Sequence, residues 1–160
     1  MQLHLDDLQT HLLYELSYDS DITGISETKI STSSATKTTL NLNIPGCNFE
    51  HVPTPLFGGV GMYINDKFKY SVIEKTSNEA FQATWIEIRF ENKKNILCGI
   101  IYRQHNSPNT FPTSFDESLE KHSDGKPVYV LGDFNLHLLK SESSNYSHHF
   151  FFFCRAVTSY

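Results

Sequence analysis

The chain has 160 residues and a formal net charge of −5 at pH 7, with 13 Lys and Arg against 18 Asp and Glu. That length suits one domain with its own hydrophobic core, and the acidic balance excludes a bulk cationic nucleic-acid binder, whose nonspecific affinity grows with each Lys or Arg placed on a phosphate. No stretch approaches the roughly eighteen continuous apolar residues of a membrane span, and Met1 to Leu16 is too acidic and too interrupted for a signal peptide.

In chain order, Leu5, Leu8, Leu12 and Leu16 recur at helical spacing, with Asp6 and Gln9 as a capping pair, so a first helix is expected from about Asp6 to Ser17. Asp21 to Lys29 then reads as a short apolar strand ending on Glu27, and the Ser/Thr-rich stretch from Ser31 to Thr39 as an exposed loop. Gly58-Gly59-Val60-Gly61 resembles a phosphate cradle, but such a loop opens a helix, whereas Met62-Tyr63-Ile64 continues as a strand. Glycines that tighten the start of a strand are the better account.

Trp85, Glu87 and Arg89 alternate with Ile86, Ile88 and Phe90, the pattern of a half-buried strand, and Glu91 to Asn95 turns it into the next one, Asn95 to Ile101. Phe111, Phe115 and Leu119 mark a helix whose start carries Pro112 and whose end meets Gly125 and Pro127. Val128 to Leu131 is a further apolar run, which stops abruptly on Gly132. The three cysteines, Cys47, Cys98 and Cys154, have no C-x-x-C spacing and read as free thiols in a reducing compartment. His148-His149 reads as a surface pair, because neighbours point in different directions. Phe150 to Phe153 reads as an exposed, aggregation-prone patch.

The chemistry concentrates where strands end. Asp133 and Asn135 stand two apart after an apolar run, so on strand geometry they share one face at its exit; the bland alternative is an Asx turn. Glu27 ends a strand in the same way, and the two acids are expected to converge at one end of a sheet. A third strand runs into Tyr102-Arg103, a hydroxyl and a guanidinium suited to gripping phosphate. Taken singly, Glu27 is a solvated acid beside Lys29, and Tyr102 a sheet-edge aromatic with its hydroxyl in water. Lys29, Lys67, Lys69, Lys75 and Arg103 could make the site locally basic, while His105 is assigned to a loop.

The order Ile25-Ser26-Glu27-Thr28, Gly58-Gly59-Val60-Gly61-Met62-Tyr63-Ile64, Trp85-Ile86-Glu87-Ile88, Ile101-Tyr102-Arg103 and Leu131-Gly132-Asp133-Phe134-Asn135 resembles the endonuclease/exonuclease/phosphatase superfamily. More narrowly, it is similar to the endonuclease domain that precedes the reverse transcriptase in LINE-type retrotransposons. The resemblance extends to about His149, which makes residues 1–149 a partial domain and 150–160 a tail outside the family, the expected product of a frameshift or premature stop.

The resemblance implies an α/β (α+β) fold in four layers, two mixed β-sheets face to face with helices outside, incomplete at the C-terminus. It implies phosphoester hydrolysis with Mg²⁺, or Mn²⁺ in its place. Glu27 would hold the metal, Tyr102 would contact the scissile phosphate, Asp133 would orient or deprotonate the attacking water, and Asn135 and Arg103 would contact phosphate. DNA would be the substrate of an intracellular monomer, nuclear or cytoplasmic, whose ancestor was fused to a reverse transcriptase.

Two departures qualify this. Relatives carry an Asn on the first strand and an Asp-His pair near the end of the domain, and neither is present. Supporting groups of that kind commonly carry factors of about 10² to 10⁴ in rate. A complete relative is also longer by roughly a third, more than loop variation usually explains, so the chain reads as truncated at both ends. The expected activity is therefore weak or nil. Two alternatives stand beside the nuclease: a phosphomonoesterase of the same superfamily acting on a phosphoinositide or nucleotide, since fold does not choose substrate, and a non-enzymatic remnant.

Overall fold

A computed structural model of the chain describes residues 20–30, 43–54 and 58–135. The expected first helix, the Ser31 to Thr39 loop, Cys154, the His148-His149 pair, the Phe150 to Phe153 patch and the boundary at 149/150 lie outside the described residues.

Strands β1 (Ile22–Ser26), β2 (Cys47–Val52) and β3 (Val60–Asn65) form an antiparallel sheet in the order β1-β3-β2. Strands β4 (Lys69–Ser77), β5 (Gln82–Arg89), β6 (Ile96–Tyr102) and β7 (Val128–Asp133) form a second sheet in that order. The first two pairings of this sheet are antiparallel, and β6 and β7 run parallel. A parallel pair needs a crossover long enough to bring the chain back, and helix α1 (Phe111–Ser123) supplies it.

The sheets pack face to face on Val52, Val60, Met62 and Ile64 from one side and Ile86, Ile88, Cys98 and Ile100 from the other. Helix α1 covers the opposite face of the larger sheet, where Phe111, Phe115 and Leu119 meet Ala83, Trp85, Leu97 and Ile101. The result is an α+β sandwich. Double cover changes the reading of β5. Gln82 to Ile86 is buried without interruption, and only towards Glu87 and Arg89 does the strand reach water. The half-buried expectation fails because both faces have a partner, as in strands sandwiched between layers.

Close approaches depend on small residues. Trp85 lies flat on its cross-strand partner Gly99, where any Cβ would collide with the indole. Helix α1 starts with Pro112 in its first turn and ends at Asp124, whose φ of 42° is left-handed, followed by Gly125. Lys121 and His122 in its last turn both reach Glu74 Oε2 on β4, at 2.5 and 2.8 Å. Cys47 and Cys98 are free thiols, and burial pushes the Cys98 thiol up to about 11, so it stays protonated and inert. Among the described residues no helix is long and apolar enough to cross a membrane.

Candidate active site

Register decides which strand ends meet. In the smaller sheet Ser26 and Val52 both lie opposite Val60, so β1 and β2 exit where β3 begins. In the larger one Gln82 pairs with Tyr102 and Tyr102 with Asp133, so β6 and β7 exit where β5 begins. These two sets of strand ends form a single rim, because the Tyr102 hydroxyl donates to Glu27 Oε1 at 2.8 Å. Glu27 and Asp133 therefore belong to different sheets rather than to one end of a single sheet, and Tyr102 spans the seam between them.

Tyr102 is 5 % exposed, not an edge aromatic with its hydroxyl in water. Burial pushes that hydroxyl up to about 12, and the hydrogen bond to Glu27 and the negative charges of Glu27 and Asp133 push the same way. At neutral pH it is a neutral donor. Glu27 itself is exposed at the rim, with a φ of 56°. A left-handed backbone is costly for a residue with a Cβ and persists only where its surroundings enforce it. Here Thr28 N–H donates to Gly59 O at 3.2 Å and Lys29 N–H to Gly58 O at 2.8 Å, which carries the β1–β3 contact past the end of the ladder.

Gly58 and Gly59, at φ of 87° and 91°, adopt conformations natural to glycine. A Cβ on Gly58 would lie 2.6 Å from Gln82 Oε1 and 2.8 Å from Tyr102 Cε1, so the bare backbone is what lets this loop close onto the Tyr102 ring. The glycines do tighten the start of a strand, and in doing so they brace the site. Gln82 Oε1 accepts the Gly59 N–H at 2.5 Å. Sequence reasoning passes over Gln82; its only signal is an amide between Phe81 and Ala83 at the start of an otherwise apolar strand.

The other wall is the exit of β7. Gly132 crosses the Ile101 backbone so closely that a Cβ would overlap the Ile101 carbonyl. Asp133 follows, exposed, its carbonyl taking the Arg103 N–H at 2.9 Å and its Oδ1 the Asn135 N–H at 2.9 Å. That second bond is an Asx turn. Asn135 sits at φ 48°, beyond the strand, so alternation along a strand is not what relates it to Asp133. Its Nδ2 donates to Arg103 O at 2.6 Å.

Arg103 is 7 % exposed. Its Nη1 donates to the carbonyls of Asn135 at 3.1 Å and Phe134 at 3.4 Å, and its guanidinium lies 5.2 Å from the centre of the Phe111 ring. Phe134 in turn packs on Phe111 and Phe115. The guanidinium thus braces the turn rather than facing open solvent. The expected basic surround also differs. Lys67 pairs with Asp21 at the far end of β1, Lys69 with Glu91 and Lys75 with Glu50. Lys29 is exposed beside Glu27, and His105 lies on an exposed loop past Tyr102.

Beside Asp133 a cleft of about 610 Å³ opens between β1 and β7, floored by Gly24, Ile100 and Leu131. Among the described residues no group of three or more His, Cys, Asp or Glu is placed to hold a metal ion. What the rim offers a cation is hard oxygen, the Glu27 carboxylate with Asp133 near Tyr102. That donor set fits Mg²⁺, which keeps most of its water and needs only one or two protein carboxylates.

No family model and no curated protein matches the chain. Among solved structures, D. rerio TDP2 humanized by 14 mutations superposes with a TM-score of 0.58 at 16% identity, over 83% of this chain and 57% of that one. ANGEL2, described as a 2',3'-cyclic phosphatase, superposes with a TM-score of 0.53 at 13% identity, over 79% of this chain and 42% of that one. Both neighbours belong to the endonuclease/exonuclease/phosphatase superfamily, and at these identities the likeness is one of fold. The chain spans less than two thirds of either neighbour.

Proposed function

We propose that this chain is a metal-dependent phosphoesterase domain of endonuclease/exonuclease/phosphatase type, acting on the phosphodiester backbone of DNA. The observation that carries the reading is the Tyr102–Glu27 hydrogen bond, with Asp133 in register beside Tyr102. It gathers the acid assigned to the metal, a neutral donor and a second acid where three strands from two sheets end.

In this reading Glu27 holds Mg²⁺, or Mn²⁺, which would offset the charge that builds on the phosphoryl oxygens. Tyr102, neutral up to high pH, gives its one hydroxyl proton to Glu27 Oε1 in this structure; with substrate bound that proton would turn to a phosphoryl oxygen and free the carboxylate oxygen for the metal. Asp133 is exposed at the end of β7, where its carboxylate is assigned to take a proton from the attacking water. Asn135 gives one amide hydrogen to Arg103 O, and the second is assigned to a phosphate oxygen. Arg103 contributes by holding that turn, its charge reaching phosphate from behind.

Support for the finer LINE-type assignment, with its monomeric domain and ancestral reverse-transcriptase fusion, is the order of motifs from Glu27 to Asn135. A phosphomonoesterase remains the second reading, favoured by the fold shared with a 2',3'-cyclic phosphatase.

A plasmid-nicking assay run beside a phosphate-release assay, each with Mg²⁺ and with EDTA, tests the proposal. Mg²⁺-dependent nicking that disappears in Asp133→Ala supports the nuclease. Phosphate release without nicking transfers the reading to the monoesterase. Equal signal from wild type and Asp133→Ala overturns both.

A further inference from the structure

The first residue of β5 ties the two sheets together beneath the rim. Gln82 is 4 % exposed, its register partner on β6 is Tyr102, and its side-chain oxygen holds the Gly59 N–H. The carbonyls of Gly58 and Gly59 accept from Lys29 and Thr28, the two residues that follow Glu27. One buried carboxamide in the larger sheet is thus linked, through a pair of glycines, to the stretch of smaller-sheet backbone that carries Glu27. Glu27 and Lys29 both hold left-handed φ values there, which need such a brace. The same oxygen and the Tyr102 ring fill the space beside Gly58. Gln82 therefore touches the supports of both Glu27 and Tyr102 while touching neither carboxylate of the rim in the hydrogen bonds that hold it.

We infer that Gln82 is a positioning residue, whose carboxamide oxygen fixes the Gly58-Gly59 loop and thereby sets the Glu27 carboxylate against the Tyr102 hydroxyl. Its consequence for metal affinity rests on the proposed role of Glu27; its consequence for the loop does not. A plain packing role makes a different demand, because then any side chain of the same length and volume would serve.

Gln82→Met keeps length and volume without the acceptor, and Gln82→Glu keeps an acceptor oxygen. Two readouts apply to each variant and to the whole chain: Mn²⁺ affinity by calorimetry, and hydrogen exchange at the amides of Thr28, Lys29 and Gly59. Gln82→Met is expected to weaken Mn²⁺ binding about tenfold, the lower end of what loss of an outer support costs a metal site, and to quicken exchange at the three amides by about tenfold or more. Gln82→Glu is expected to recover most of both effects.

Unchanged Mn²⁺ affinity in Gln82→Met, or a Gln82→Glu variant no better than Gln82→Met, overturns the inference. Should Gln82→Met fail to fold, Gln82→Asn, whose oxygen falls short of Gly59, is read in the same two ways. If the wild-type chain binds no Mn²⁺, the metal reading of Glu27 fails by itself. The exchange arm then decides the role of Gln82: quickened exchange sustains it and wild-type exchange overturns it.

Discussion

Tyr102 and Glu27, 75 residues apart in sequence, share a 2.8 Å hydrogen bond across the seam between the two sheets. The bond exists because β6 and β1 end at the same rim, and it fixes the protonation of the phenol. A hydroxyl that donates to a carboxylate while buried resists losing its proton.

Alkaline stability follows from that resistance. Burial raises both Tyr102 and Tyr70 to about 12, helped by hydrogen bonds to Glu27 and Glu50. A group whose pKa is higher in the folded state stabilises the fold fully below its unfolded value, about 10 for tyrosine. That contribution is lost as pH rises from about 10 through 12. Urea midpoints measured from pH 8 to 12 should fall over this window, and Tyr102→Phe should flatten part of the fall. An equal slope in Tyr102→Phe would contradict the assignment.

The acid limb belongs to Glu74. The Lys121 hydrogen bond, with help from Thr76 and His122, pulls its carboxyl down to about 2 against the cost of burial. A depressed carboxylate stabilises the fold above its unfolded pKa, about 4.3, and loses that contribution as pH falls towards 2. Glu74→Gln should remove much of the change in thermal midpoint between pH 5 and 2, while leaving Mg²⁺-dependent activity near wild type, since Glu74 clasps α1 to β4 away from the rim.

Gly132→Ala should displace the exit of β7, because its Cβ has no room against the Ile101 backbone and the φ of 138° disfavours any side chain. Overpacking of this kind costs typically 1–3 kcal/mol, about that much here. Denaturant unfolding would show it. Activity should fall further than stability explains, because Asp133 moves with the strand.

Arg103→Lys keeps the charge but loses the paired carbonyl contacts and the stacking on Phe111. Hydrogen bonds to a charged group contribute about 1.5–3 kcal/mol, so a clear drop in thermal midpoint is expected. A variant with wild-type stability and a raised KM would instead make Arg103 a direct phosphate contact.

Parts of this architecture are legible from local pattern. Phe111, Phe115 and Leu119 recur at helical spacing, and those are the three residues α1 buries. Gly132 does not stop β7, which runs on to Asp133; the glycine is there because the Ile101 backbone leaves no room for a side chain. Other parts depend on partners distant in sequence. Nothing near Gln82 signals Gly59, 23 residues away. Arg103 looks like an open cation until Phe111 and the β7 turn cover it. The alternation of Glu87 and Arg89 suggests one wet face along all of β5, and the cover from α1 removes it as far as Trp85. The shared strand face expected of Asp133 and Asn135 fails because β7 ends at Asp133, and the Asx turn that stood as the bland alternative is what joins them.

The account depends most on Glu27 holding a divalent cation at the rim it shares with Tyr102 and Asp133. Titrating Mn²⁺ into the ¹⁵N-labelled chain and following paramagnetic broadening of its amides addresses that directly. The account predicts that the signals of Glu27, Tyr102 and Asp133 broaden together at the lowest Mn²⁺ concentrations, and that Glu27→Gln abolishes the effect at all three. Broadening centred elsewhere, or broadening at the three that survives Glu27→Gln, would contradict it.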